Sequence, residues 1–321
     1  MALAAVPAPA LVIGEALIDV LVEPGGRRRE VPGGSPANVA LGLGRLGHPV
    51  RFATRIGRDR YGDLLLRHLR ESGVELTPGS VDGGPTSTAT ALLDSRGAAT
   101  YDFDITWAPA PEAVGAVLTG APAHVHTGSI ATALTPGADT VLAAVETARA
   151  AATVSYDPNL RPALLGPPER ERDRVERLVA ASDVVKASDE DLAWLYPGRD
   201  AAEVASRWAE GGGPALVVLT FGARGARAWW RHGSHAVAAA PVRVVDTVGA
   251  GDAFTSALVG GLLRAGLLGG APDFRAALRT ATSGDRLPPA VTETLTLASR
   301  AAALTCAREG ANPPTPADLA P

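Results

Sequence analysis

Asp246-Thr247-Val248-Gly249-Ala250-Gly251-Asp252-Ala253-Phe254 is the stretch that decides how this chain is read. It follows Val242 to Val245, a β-rich run expected to be a strand, and precedes an apolar helix expected over Phe254 to Arg264. Small residues at such a junction let backbone N–H groups close on an anion, where the helix dipole favours negative charge. Asp252 then falls in the first helical turn. A carboxylate repels a bound phosphate, so phosphate binding alone does not account for it. Two explanations stay open at this level. Asp252 is a general base for an attacking hydroxyl, or an acid that stabilises the helix N-terminus by about 0.3–1 kcal/mol.

Outward from this segment, strands and helices alternate. Strands are expected at Leu11 to Ile13, Val50 to Ile56, His124 to Thr127, Thr153 to Tyr156, Asp183 to Lys186 and Ala215 to Thr220. Helices are expected at Ala37 to Leu46, Tyr61 to Ser72, Asp139 to Ala151, Arg170 to Ala180, Ala201 to Glu210 and Leu295 to Arg308. Such alternation predicts an α/β fold with a mostly parallel sheet covered on both faces. Two stretches break the pattern: Ile18 to Val31, around Pro24-Gly25-Gly26, and Thr86 to Trp107, around Ser95-Arg96-Gly97. Both read as hairpins, either forming a small accessory sheet or lying separately on the surface.

Two other phosphate-binding patterns fail. Gly42-Leu43-Gly44-Arg45-Leu46-Gly47 spells a dinucleotide fingerprint, but at the end of a helix and not before one. A Walker A loop needs Gly-Lys-Ser/Thr, and the chain's one lysine, Lys186, is followed by Ala187. A second chemical cluster lies near the N-terminus. Gly33-Gly34-Ser35-Pro36-Ala37-Asn38 is a tight turn feeding a helix, and Asp19 follows the first strand. Asp19, the N–H groups of Gly33 and Gly34, and the Asn38 amide suit vicinal hydroxyls. A turn acid and a helix-start residue are the plainer readings of Asp19 and Asn38.

Composition narrows the classes. The 321 residues are 46% hydrophobic and 20% charged, which excludes a disordered chain. The net charge of −4 gives no broad nucleic-acid footprint. One cysteine, Cys306, excludes an internal disulfide and Cys-rich metal sites, and its apolar run suggests a core helix thiol. The opening MALAAVPAPALVIG has two prolines and no basic residue ahead of its apolar stretch, so a signal peptide is not expected. No run reaches 18 apolar residues, so no membrane span is expected, and a reducing cytoplasm fits.

The two glycine motifs together resemble the ribokinase-like (PfkB) carbohydrate kinase family. Gly33 to Ala40, with Gly47 and Gly57 at the family spacing, matches its first signature, and Asp246 to Val259 its second. The resemblance runs from Gly14-Glu15 to Gly310-Ala311-Asn312-Pro313. It implies a three-layer α/β/α core, residues 1–17, 32–86 and 108–321, with a small β lid, residues 18–31 and 87–107. It also implies a kinase moving the γ-phosphate of ATP to a primary hydroxyl of a small sugar. Asp252 becomes the catalytic base, with Gly249, Ala250 and Gly251 as the anion hole. Asp19, Gly33, Gly34 and Asn38 become sugar ligands.

The same resemblance places the nucleotide by Thr220, Gly222 and Gly225. Asp246 and Val248 match a monovalent cation site, for K+. The usual Asn-x-x-Glu, tied to Mg2+, is replaced by Ser188-Asp189-Glu190-Asp191, so Ser188 and Asp191 stand at nucleotide and magnesium positions. Ser299 stands where an Asn near the adenine is common. Lys186, ending a strand just ahead of Ser188, is read as an ATP-site residue. Asp157-Pro158-Asn159-Leu160-Arg161-Pro162 and Gly14 to Asp19 look most like fructokinases and 2-keto-3-deoxygluconate kinases. Arg161 is read as a substrate ligand. Ribokinase or nucleoside kinase chemistry, and a silent sugar-binding protein, are the alternatives. A homodimer through the lid is a further expectation from the family, alongside sugar and ATP as small-molecule partners.

Overall fold

The computed structural model describes residues 8–93, 99–119, 122–270 and 272–320. β1 (Ala10–Ile13), β2 (Leu17–Val22) and β3 (Arg28–Gly33) precede α1 (Ser35–Arg45). Then come β4 (Val50–Ala53), β5 (Ile56–Gly57), α2 (Arg60–Glu71), β6 (Val74–Leu76) and β7 (Val81–Asp82). β8 (Thr88–Leu93) and β9 (Ala99–Asp104) lead to α3 (Pro111–Thr119), β10 (His124–Gly128), α4 (Gly137–Ala148) and β11 (Thr153–Asp157). α5 (Pro168–Ala181), β12 (Val184–Ser188), α6 (Asp189–Leu195), α7 (Ala201–Glu210) and β13 (Leu216–Thr220) continue the alternation. β14 (Ala226–Trp230), β15 (Gly233–Val237), α8 (Ala250–Arg264), α9 (Asp273–Ala281) and α10 (Pro289–Cys306) follow.

Nine strands form the main sheet in the order β15-β14-β13-β12-β11-β10-β1-β4-β6. Neighbours from β13 to β6 are parallel, while β14 and β15 run antiparallel at one end. β1, β10 and β11 are buried along their whole length, as strands covered on both faces must be. One face packs Phe52, Leu43, Leu258 and Leu295 beneath α1, α8 and α10. The other packs Tyr156, Leu178 and Trp208 beneath α4, α5 and α7. These are the three layers. α1 and α8 come so close that a Cβ on Gly42 would overlap Ser256 Oγ.

The two irregular stretches form one separate sheet, ordered β3-β2-β8-β9. β2 and β8 are parallel within it, so the two hairpins join side by side. The Ser95-Arg96-Gly97 turn and the first seven residues lie outside the described residues.

Some expectations needed correction. Val242 to Val245 forms no strand. It is an exposed run, with Val244 58% and Val245 56% accessible. Branched side chains favour a ladder only where a neighbouring strand is available. Here Val245 N and Asp246 N both donate to the Cys306 carbonyl at the end of α10. Cys306 itself is half-buried and free. α8 begins at Ala250, four residues ahead of the apolar run, because the small residues of the turn are already helical. Val50 to Ile56 splits into β4 and β5, and β5 pairs with β7 in a two-stranded sheet. No helix is long and apolar enough to cross a membrane among the described residues.

Candidate active site

A pocket of about 510 Å³ opens between the second sheet and the ends of the main-sheet strands. That is where ligands bind in open α/β sheets. Asp19 and Leu17 from β2, Gly34, Ser35 and Asn38 at α1, Arg161, and Val248, Gly249, Gly251 and Asp252 at α8 all line it.

Gly249 caps α8 in a left-handed conformation, φ 74°. The turn it makes places Asp252 in the first helical turn, 7% exposed. Ser35 Oγ donates to Asp252 Oδ1 at 2.6 Å, and Asn38 Nδ2 donates to Oδ2 at 2.8 Å. Both donors come from α1, so the two glycine motifs meet at one carboxylate. Asn38, expected to serve vicinal hydroxyls, points its amide at Asp252. Ser35 was not singled out by the sequence. A serine ahead of a proline at a helix start reads as a turn residue.

Asp19 stands in the pocket wall, with its Oδ2 over Gly33, where a Cβ would overlap it. Partial desolvation raises its carboxyl above the usual range, Arg161 opposes this and Asp252 adds to it. Arg161 is exposed, and its Nη1 donates to the carbonyls of Asn159 and Leu160 and to Asn159 Oδ1.

Glu15, Ser129 and Asn159 also line the pocket, and none carried a role in the sequence. Glu15 is 3% exposed and its Oε2 accepts from Ala131 N at 3.1 Å. Burial pushes its carboxyl up to about 7, against hydrogen bonds from its own N–H, Ser129 and Ala131 and the charge of Arg161. Ser129 (φ 57°) and Asn159 (φ 37°) are the non-glycine residues with positive φ among those described, and both line the pocket. Such strain costs about 1–3 kcal/mol each and gathers at functional sites. Residue type alone gives little sign of it.

Behind the pocket lies a second polar cluster. Lys186, 5% exposed, donates from Nζ to Asp157 Oδ2 at 3.0 Å, and Thr255 Oγ1 donates to the same oxygen at 3.2 Å. Burial works against the ammonium, but Asp157, Asp191 and Asp252 outweigh it and raise its pKa. Burial pushes Asp157 up to about 6, with Lys186 pulling it back.

Asp191, matched to magnesium, has a different geometry. It is the third residue of a capping box: Ser188 Oγ accepts from Asp191 N, and Asp191 Oδ2 accepts from Ser188 N and Oγ. Its Oδ1 accepts from Leu160 N at 2.7 Å. Three donors on two oxygens leave little for an inner-sphere ion. Among the described residues no group of three or more His, Cys, Asp or Glu is placed to hold a metal.

The expected nucleotide residues lie along the same strand ends. Ser188 and Thr220 are register partners on β12 and β13, and Thr220 Oγ1 donates to Ala187 O. Gly222 and Gly225 bracket a short 3₁₀ turn with φ 55° and 90°. Ser299, on α10, directs its hydroxyl to Ala238 O at 2.9 Å. Asp246 holds its loop by accepting from Val248 N and Gly310 N. Ala250 opens α8 beside Gly249.

Comparison with known proteins identifies the family and the fold. The chain is 36% identical over 273 residues to a fructokinase of Klebsiella pneumoniae, covering 83% of this chain and 87% of that one. A fructokinase structure with bound ATP from Xylella fastidiosa superposes with a TM-score of 0.80 at 27% identity, over 97% of this chain and 96% of that one. A fructokinase structure from Vibrio cholerae O395, in a fructose-, ADP- and calcium-bound form, gives 0.73 at 26% identity, over 95% and 94%. The pfkB family carbohydrate kinase model matches residues 10–318, nearly the whole chain from β1 to the C-terminal segment. With its three layers, its second sheet and both glycine motifs meeting at Asp252, this chain belongs to the pfkB family of carbohydrate kinases.

Proposed function

We propose that the protein transfers the γ-phosphate of ATP to a primary hydroxyl of fructose or a closely similar neutral sugar, with Asp252 as the base. The observation that carries this reading is the placement of Asp252: buried in the first turn of α8, on the pocket wall, with both oxygens held by Ser35 and Asn38. Its relatives in Xylella and Vibrio hold ATP, and fructose with ADP.

In the proposed step a sugar hydroxyl gives its proton to Asp252 while its oxygen bonds to the γ-phosphorus. The bond from that phosphorus to the β–γ bridging oxygen breaks, and ADP leaves. N–H groups of the Gly249–Gly251 turn face the charge that develops on the phosphoryl oxygens. The second sheet acts as a lid carrying Asp19 onto the sugar, with Gly33 and Gly34 at its root. Closure excludes water that would otherwise take the phosphoryl group. With Asp191 committed to its capping box, a magnesium ion would be held mainly by the phosphates and would supply neutralisation of their charge. Asp246 and the Val248 carbonyl would hold potassium beside the turn. Thr220, Gly222 and Gly225 would flank the nucleotide, with Ser299 nearby. The lid offers the surface for a homodimer, and the cytoplasm is the proposed location.

Charge favours a neutral substrate. Asp19 and Asp252, with Glu15 only partly ionised near neutral pH, line the pocket against one cation, Arg161. A sugar acid such as 2-keto-3-deoxygluconate meets net repulsion there. ADP release should be measured over fructose, other hexoses, ribose, 2-keto-3-deoxygluconate and nucleosides. Turnover should be highest with fructose or a neutral ketose. Preference for the sugar acid would overturn the substrate assignment, and tight sugar binding with no turnover would overturn the kinase.

A further inference from the structure

Lys186 is the chain's one lysine, and its ammonium sits behind the pocket wall instead of on its rim. A Cβ added to Gly251 would stand 3.0 Å from Nζ, so the ammonium abuts the first turn of α8. Taking such a charge out of water costs several kcal/mol, and an ion pair repays that only when its remaining lone pairs are satisfied. This pair is not complete in that sense. Asp157 Oδ1 is buried without a hydrogen-bond partner. The groups around the ammonium are Asp157 on β11, Asp191 on α6, Asp252 on α8 and His126 on β10. Burial, reinforced by the lysine charge, keeps His126 neutral, so Lys186 is the cation of this cluster.

We propose that Lys186 is a positioning residue for phosphoryl transfer: a fixed positive charge beneath Gly251 that draws the transferring group onto the Gly249–Asp252 turn. The proposal rests on the kinase reading given above. The effect runs through the turn. A charge in this dry layer strengthens the pull of the adjacent N–H groups, and it is in place before substrate arrives, so no reorganisation is needed during the reaction. Three carboxylates near one phosphoryl group would otherwise oppose its approach, and Lys186 offsets part of that field.

The test compares wild type with the double variant Lys186→Met/Asp157→Asn, which removes both charges of the hydrogen-bonded pair, while Asp191 and Asp252 keep their own hydrogen-bond donors. The expected result is a melting temperature within a few degrees of wild type and a sugar KM within about threefold. The kcat, corrected for the fraction of ATP-binding sites by calorimetry, should fall on the order of 10- to 100-fold. A merely structural lysine would lower the melting temperature or the active fraction and leave the corrected kcat alone. If the double variant does not accumulate folded, Lys186→Gln, which keeps a donor to Asp157, is read by the same criteria. A folded variant with corrected kcat within twofold of wild type overturns the proposal while leaving the kinase standing. Wild-type protein that turns over no sugar overturns the kinase reading, and the role of Lys186 with it.

Discussion

Asn38 Nδ2 donates to Asp252 Oδ2 at 2.8 Å, across 214 positions of sequence. With Ser35 on the other oxygen, the carboxylate is aimed by α1 before any sugar arrives. An incoming hydroxyl must share or displace one of these donors to reach the carboxylate. This geometry makes α1 part of the chemistry as well as of the fold.

Asp252→Asn keeps the size and both neighbours but cannot take a proton. The kcat should fall by on the order of 10²- to 10⁴-fold, with sugar affinity within a few-fold. ADP release and sugar calorimetry measure the two separately. Near-normal turnover would remove Asp252 from the base role.

Ser35→Ala removes a 2.6 Å donor from the carboxylate. Hydrogen bonds to charged groups contribute about 1.5–3 kcal/mol. With one of its two donors gone the carboxylate is less firmly aimed, so kcat should fall by on the order of 10- to 100-fold, with the sugar KM within a few-fold. A kcat within twofold of wild type would mean that the serine merely starts the helix.

Gly249→Ala meets two obstacles at once. The backbone is left-handed, φ 74°, and the new Cβ would lie 2.5 Å from Ala311 Cβ. Strain of about 1–3 kcal/mol is expected in urea unfolding, together with a loss of kcat as the turn shifts. Unchanged stability and turnover would show that the turn tolerates a side chain.

Glu15 gives a pH-dependent stability. Its carboxyl stays protonated to about 7 in the folded chain, against an ordinary value of 4.5. Between these values the folded state binds more protons than the unfolded, so this residue's contribution to stability falls as pH rises from 4.5 to 7. Above that window the buried charge opposes folding by roughly 3 kcal/mol. Glu15→Gln should therefore raise the melting temperature by several degrees at pH 8 and by much less near pH 4.5. Equal effects at both pH values would place the carboxylate in a wetter setting.

Parts of this site were legible because their chemistry is local. Gly249 to Asp252 spell a small-residue turn with an acid in the first helical turn, and Gly33 to Asn38 spell a turn into a helix. The joining of the two was carried by resemblance, since nothing local says that Ser35 and Asn38 converge on Asp252. Glu15 was hidden because a carboxylate following a glycine at a strand end looks solvated, and only the packed structure shows it to be buried. Ser129 and Asn159 gave no signal, since positive φ is imposed by tertiary context. Val242 to Val245 misled for the opposite reason. Its propensity is for a strand, but among the described residues no strand pairs with it, and the carbonyl of Cys306 takes the N–H groups of Val245 and Asp246 instead. Lys186 was read as an ATP-site residue from its place at the end of a strand just ahead of Ser188, and its burial against Asp157 is set by packing that the sequence does not display.

The close approach of α1 and α8 at Gly42 and Ser256 ties inheritance at these two positions together. The two helices act as the arms of a caliper whose gap sets how far Ser35 and Asn38 stand from Asp252. A lineage that enlarges either residue opens the caliper and slackens the base, with no change to any residue that meets sugar or nucleotide. A side chain at position 42 is therefore tolerable only with a reduction at 256, while Gly42 has nothing left to give against a larger residue at 256, and turnover, not folding, is where the mismatch would first be felt.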